Sequence, residues 1–210
     1  MPRPALVLAT HSPHKLRELR ELLRLEQPEV LALADLGVTG EPVESGRTFA
    51  TNAGIKARFA ARATGLPALA DDSGLEVDAL RGGPGVRSRR YAGPAATDAE
   101  NNAKLLRELE GLPPEQRGAR YACVLALALP ERAGSRGGLL VILRRGTCRG
   151  RIAVAPRGSG GFGYDPIFEP VAEPPGGRTL GLYSADEKHA ISHRAQAARA
   201  MAAELQRIGF

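Results

Sequence analysis

Two long stretches, RYACVLALALP (120–130) and GLLVILRRGTCRGRIAV (138–154), constrain the fold of this chain more than any other feature. Both are rich in residues that suit a pleated, buried surface, and only the turn-like ERAGSRGG (131–138) joins them, so they predict a long β-hairpin. PALVLA (4–9), EVLALADL (29–36) and residues 66–70 read as further buried strands, the last of them stopping at Asp71 and Asp72. Three helices are expected among these strands. Leu16, Leu19, Leu22 and Leu23 recur at helical spacing; residues 45–65 place Thr48 as N-cap and Gly65 past the end; and 97–112 begins with Thr97 and Glu100 in capping-box positions. Near the C-terminus Ser184 and Glu187 form another capping box, and Ser192 is placed to cap a second helical segment. This order predicts a mixed α/β fold in one domain over residues 1–210.

Composition narrows the function. Trp is absent and aromatics make up 4%, which leaves little for a base-stacking RNA surface. No apolar run reaches the ~20 residues of a membrane span, and MPRPALVLATHSPHK lacks a signal peptide's apolar segment. A soluble, cytoplasmic protein without a membrane partner is expected. Cys123 and Cys148 stand apart without CxxC spacing, so no disulfide framework is indicated. The net charge of +6 suits an anionic partner. Of the 29 basic residues only Lys15, Lys56, Lys104 and Lys188 are lysines. In a chain that defaults to Arg, a Lys marks a place where a compact point charge is wanted, as on phosphate.

Candidate chemistry lies in four stretches. In ATHSPHK (9–15), Ser12 can cap and Pro13 begin a helix whose first N–H groups and dipole favour an anion, while Lys15 adds a full charge. The plain alternative is a helix cap with an exposed Lys. In PALADDSGLEVDAL (67–80), Asp72 opens the turn DSG and can meet a metal or water at the sheet's carboxyl end, with Asp71 pinning the turn or a cation. An Asx-turn is the alternative there. GSGGFGYD (158–165) contains the text of a dinucleotide fingerprint, but Pro166 and Pro170 forbid the helix that should follow. Its glycines instead let backbone approach a ligand, with Phe162 available to stack on a flat ring. In EKHAISHR (187–194), Lys188, His193 and Arg194 gather donors near a helix start, which is also what a solvated amphipathic helix looks like. The four His residues lack the spacing and Cys partners of a zinc site.

Taken in order, LATHSPHKLREL, ESGRTFATNAGIKA, LPALADDSGLEVDAL, GVRSRRYAG, GSGGFGYDPIF and EKHAISHR resemble the motifs of the inosine triphosphate pyrophosphatase family, the nonstandard-purine nucleoside triphosphate pyrophosphatases. The resemblance runs from residue 8 to residue 194. It implies a two-lobed α/β fold, with a long central twisted sheet flanked by helices, a nucleotide cleft between the lobes, and a homodimer. It implies hydrolysis of ITP, dITP and XTP to the monophosphate and pyrophosphate, with Mg²⁺ or, in its place, Mn²⁺. Carried onto this sequence, Thr10, His11, Ser12, Pro13, His14 and Lys15 cradle phosphates, and Lys56 adds charge. Glu44 and Asp72 sit at the metal, Asp72 also acting as the base toward water, and Ser73 touches the substrate. Phe162, Gly163, Tyr164, Asp165, Lys188, His193 and Arg194 hold the base and sugar.

Two positions depart from the family's pattern. Ser12 stands where Asn is usual, and Thr51 where Glu is usual, which removes a carboxylate near the metal and implies lower activity or an altered metal preference. A Maf-like pyrophosphatase acting on dTTP, UTP or modified pyrimidine nucleotides is the nearest rival; GGFGYDPIF and SHR argue against it. A basic nucleic-acid-binding protein would bind with steep salt dependence, but it leaves the Asp pair unexplained.

Overall fold

The computed structural model describes residues 5–23, 25, 29–130 and 138–210. Its elements in chain order are β1 (Ala5–Leu8), α1 (Pro13–Leu23), β2 (Glu29–Ala32), α2 (Phe49–Thr64), β3 (Ala68–Val77), α3 (Asp98–Glu108), β4 (Gly118–Pro130), β5 (Leu139–Ile152), β6 (Phe168–Pro170), α4 (Ala185–Ile191) and α5 (His193–Arg207), with short 3-10 segments between some of them. The strands form a six-stranded mixed sheet, flanked by helices, in the order β2-β1-β3-β4-β5-β6. β1 is parallel to β2, with Leu8 opposite Ala32, and parallel to β3, with Leu8 opposite Leu69. β6 is antiparallel to β5, with Ile152 opposite Phe168. The mixed α/β class expected from the sequence is the class observed. β4 and β5 are sheet neighbours, as a hairpin requires, and residues 131–137 of the turn expected between them lie outside the described residues.

Local chemistry accounts for the helix ends. Pro13 is the first residue of α1, and the Thr48 side chain accepts from Thr51 N–H at the start of α2. Gly65 closes α2 in the left-handed region at φ +70°, where a side chain would be strained. Thr97 with Glu100, and Ser184 with Glu187, form complete capping boxes on α3 and α4. Ser192 separates α4 from α5.

Several expected boundaries differ; the helix expected over 97–112, for one, ends at Glu108. EVLALADL is strand only to Ala32 and then turns into a 3-10 segment at Ala34–Leu36. FEP, where no strand is expected, forms β6. Most consequentially, the strand expected over 66–70 does not stop at the Asp pair but continues to Val77. DSG has turn composition, yet Leu75 and Val77 beyond it are fully buried in a core cluster, and that burial holds the chain extended. The strand that does stop is β1. Its pairing with β3 ends at Leu8 opposite Leu69, and Ala9 N–H donates to Leu69 C=O at 2.8 Å. The two Asp residues therefore lie in mid-strand, just past the carboxyl end of the neighbouring strand.

Packing divides the chain into two compact units: Met1–Asp72 with Cys123–Gly146 and Arg194–Phe210, and Ser73–Ala122 with Thr147–His193. β3, β4 and β5 supply residues to both. The first unit's core joins Leu6 and Leu8, Leu19 and Leu23 of α1, Leu69, Cys123, Leu125 and Leu127, and Met201 and Leu205 of α5. The second unit's core gathers Leu75, Leu105, Leu109, Tyr121, Ile152, Ile167 and Phe168. No described helix is long and apolar enough to cross a membrane.

Gly150 shows how tightly β6 is held. A Cβ there would fall 2.1 Å from the Glu169 carbonyl oxygen and 2.7 Å from the Phe168 ring. Gly150→Ala is expected to destabilise the protein by ~1–3 kcal/mol by forcing β6 off β5, read as a lower urea midpoint. An unchanged midpoint would refute this close approach.

Candidate active site

In the first unit, α1 starts behind a short turn in which Ser12 N–H donates to Thr10 Oγ1 at 3.1 Å and Ser12 Oγ lies 3.5 Å from Lys15 N. The first turn of α1 carries no acidic residue, so the positive end of its dipole is left for an outside anion. His11, Pro13 and His14 on this turn are exposed, and Thr10, Ser12 and Lys15 are half-buried. Lys15 is pinned from below by an ion pair with Asp71.

Asp71 is the hub of a buried network. Its carboxylate also accepts from Arg194 Nε at 3.1 Å and from the Cys123 thiol at 3.0 Å, while Arg194 forms a second ion pair with Glu18 of α1. Burial alone would raise the Asp71 pKa, but the charges of Arg194 and Lys15 overcome it and hold the carboxyl well below its ordinary value. Burial and Asp71 push the Cys123 thiol up, and burial pushes Cys148 up to about 11, so neither is a nucleophile at neutral pH.

Asp72 faces a different partner. Lys56 of α2 bridges it, at 2.7 Å from Asp72 Oδ1, to Glu44, at 3.1 Å from Glu44 Oε1. Asp72 Oδ2 is buried and has no hydrogen-bond partner among the described residues. Burial, aided by Glu44 and opposed by Lys56 and Lys15, raises the Asp72 pKa above its ordinary value. The loop bearing Glu44 is tied down by Asn52, which is fully buried and accepts from Gly46 N–H at 2.8 Å. Thr51, the residue that departs from the family's Glu, is exposed, and its hydroxyl lies 2.9 Å from that of the α2 cap, Thr48.

These residues fit a hard divalent cation. An unpartnered carboxylate oxygen beside a second carboxylate is an oxygen donor set of the kind Mg²⁺ takes. Among the described residues no group of three or more His, Cys, Asp or Glu could hold a metal. Two carboxylates with the other positions filled by water and phosphate oxygens match the usual Mg²⁺ mode rather than an all-protein cage.

In the second unit, Asp165 organises the glycine-rich loop. Its carboxylate accepts from Lys188 Nζ at 2.8 Å, from Phe162 N–H at 3.0 Å and from the Tyr121 hydroxyl at 3.2 Å. Gly161, at φ +72°, passes so close that a Cβ would sit 2.0 Å from Asp165 Oδ2. Lys188 Nζ stands 4.7 Å from the Phe162 ring centroid, and Tyr121 stacks on His193 at 4.6 Å. The Tyr164 hydroxyl donates to Ser88 C=O at 2.8 Å. Ser73 follows Asp72 on β3 and is half-buried.

The structure thus gathers Lys15 in one group with Asp71, and Lys56 in another with Glu44 and Asp72. Phe162, Asp165, Lys188 and, through Tyr121, His193 make a further group. Arg194, which the resemblance assigns to the base and sugar, has its ion pairs with Asp71 and Glu18 in the first unit. Glu18, Asn52 and Tyr121 are members of these groups that the sequence motifs do not single out. For Glu18 a signal exists, since it lies three residues after Lys15 on the same helical face.

A profile of the Ham1 family matches residues 6–204. The dITP/XTP pyrophosphatase of Geobacillus kaustophilus is 48% identical over 91% of this chain and 89% of its own. That of Yersinia pseudotuberculosis is 48% identical over 93% and 95%. Among solved structures, a HAM1 protein from Coxiella burnetii superposes with a TM-score of 0.85 at 43% identity, covering 97% of this chain and 99% of that one. The Ham1 protein of Staphylococcus aureus does so with a TM-score of 0.84 at 33% identity and the same coverage. Matched from its first strand into its last helix, and similar to these proteins along nearly its whole length, the chain belongs to the Ham1 family.

Proposed function

We propose that this protein hydrolyses nonstandard purine nucleoside triphosphates, ITP, dITP and XTP, to the monophosphate and pyrophosphate. The observation that carries the reading is Asp72: a buried carboxylate with one oxygen on Lys56 and the other without a partner among the described residues. Asp72 takes a proton from the water that attacks the α-phosphorus, and the bond to the bridging oxygen of pyrophosphate breaks. Lys15 and Lys56 neutralise charge that accumulates on the leaving pyrophosphate. Thr10 to Lys15 hold phosphate oxygens at the N-terminus of α1. Glu44 and Asp72 would hold Mg²⁺, or Mn²⁺ in its place, which when bound offsets phosphate charge.

Phe162 offers a flat face to the base, and Lys188 selects its 6-position. An ammonium carries only donors, one of them already on Asp165, so it matches a 6-oxo group and leaves adenine's 6-amino group unpaired, at ~1–3 kcal/mol. The similarity to proteins named dITP/XTP pyrophosphatase supports the same substrates. A homodimer acting in the cytoplasm completes the reading, with sedimentation velocity to test the assembly.

The test is pyrophosphate release from ITP, dITP, XTP, GTP, ATP and dTTP with Mg²⁺, and again with EDTA. Turnover of the first three well above ATP follows from the 6-oxo match; turnover above GTP, which shares that oxo group, is expected from the similarity to dITP/XTP pyrophosphatases, and all turnover is lost with EDTA. Preference for dTTP would overturn the purine reading, and no release at all would overturn the enzymatic one.

A further inference from the structure

Two side chains on α3 grip one residue of the glycine-rich loop. Asp98 Oδ2 accepts from Gly163 N–H at 2.6 Å, and Asn102 Nδ2 donates to Gly163 C=O at 3.1 Å. Asp98 and Asn102 are four residues apart, so they project from the same helical face. The N–H belongs to the peptide plane before the Gly163 Cα and the C=O to the plane after it. Holding both planes fixes the two soft dihedrals of that residue.

Gly163 needs such holding. Its φ is +66°, and Gly158 and Gly161 of the same loop are also positive, so the segment has many conformations of similar energy. Left to itself it would sample them. On the near side, Phe162 N–H is already tied to Asp165. Phe162 therefore sits between two anchored peptides, which fix its Cα–Cβ direction, while Lys188 Nζ stands 4.7 Å from its ring centroid.

The gripping helix is itself rigid. α3 starts in a complete capping box and buries Leu105 fully, and Asn102 is 7% exposed. Asn101, next in line, accepts from Ala92 N–H at 2.8 Å and donates to Arg89 C=O at 3.1 Å, so α3 also braces the preceding loop.

We infer that Asp98 and Asn102 are positioning residues that lock the Gly163 backbone and thereby set the Phe162 ring for the purine base. The inference rests on the base-binding reading of Phe162 under Proposed function. The lock acts in free enzyme, before substrate arrives, so that ordering of the loop is not subtracted from binding.

The experiment compares wild type with Asp98→Ala, Asn102→Ala and Asp98→Asn by amide hydrogen exchange over residues 160–166 and by steady-state kinetics on ITP. Both Ala variants are expected to exchange about tenfold faster in this segment, with exchange in β3 and the rest of α3 unchanged. Their KM for ITP rises about tenfold while kcat stays within about twofold, the pattern of lost uniform binding. Asp98→Asn, which keeps an acceptor oxygen for Gly163 N–H, stays near wild type. Unchanged loop exchange in the Ala variants overturns the lock. Faster exchange with unchanged KM, or Asp98→Asn behaving like Asp98→Ala, overturns the positioning role. A wild-type enzyme that leaves ITP intact would sink the base-binding reading instead, and the exchange rates would still accept or reject the lock.

Discussion

Asp72→Asn is expected to lower kcat/KM for ITP by about 10²–10⁴-fold and to leave the thermal midpoint unchanged or slightly higher. The amide has the shape of the carboxyl and can still accept from Lys56, but it cannot take a proton from water. The stability half follows from the same environment. Burial raises the Asp72 pKa above 3.8, so the folded protein binds the proton more tightly than the unfolded chain does. At pH values above that raised value the ionised side chain opposes folding, and a neutral amide removes the opposition. Steady-state kinetics and a thermal melt on the same sample check both halves. Retained turnover would remove Asp72 from the role of base. A large drop in midpoint would show that its contact with Lys56 is structural instead.

Its neighbour is expected to answer in the opposite sense. Asp71→Asn should cost ~3–5 kcal/mol, because it removes a carboxylate that pairs with buried Arg194 and takes from Lys15 its anchor. For a chain of this length that is a fall in melting temperature of about 6–20 °C. The pH dependence has a definite sign. Arg194 and Lys15 hold the Asp71 carboxyl below 3.8, so its contribution is fully present above that value and is lost as pH falls through the lower folded-state pKa. The gap in stability between wild type and variant should therefore be constant near neutrality and close in acid. Two adjacent aspartates giving the same melting shift would contradict this division of labour.

Much of this architecture is legible in the amino-acid sequence. The caps at Thr48, Thr97 and Ser184 can be read there because a cap depends on a few neighbouring residues and no distant one. A dinucleotide fingerprint at Gly158–Gly163 can be rejected for the same reason, since Pro166 acts locally. β3 runs past its expected end because DSG signals a turn over three residues, while the burial of Leu75 and Val77 that overrides it depends on α3, β4 and β5. Lys15, Lys56 and Lys188 stand out through their rarity among arginines. Which carboxylate each meets is not in the local text, because Lys56 and Asp72 are 16 residues apart and Arg194 and Asp71 are 123 apart. Asn102 gives no signal for a further reason: its contact is with a backbone carbonyl, which every residue type possesses.

The continuation of β3 through Asp71 and Asp72 has a consequence for how this protein can evolve. Leu69 and Asp71 share one side of the strand, with α1 and α5, and Asp72 lies on the other, with Lys56 of α2. The carboxylate proposed as the base and the one that anchors Arg194 and Lys15 are thus told apart by parity alone. Deleting Ala70 would carry Asp71 to the side that faces Lys56 and turn Asp72 toward Arg194, with both aspartates kept. The length of this segment is therefore held more strictly than its composition: an odd change reverses the faces, and an even one slides the pair ~6.6 Å along the strand, away from its partners.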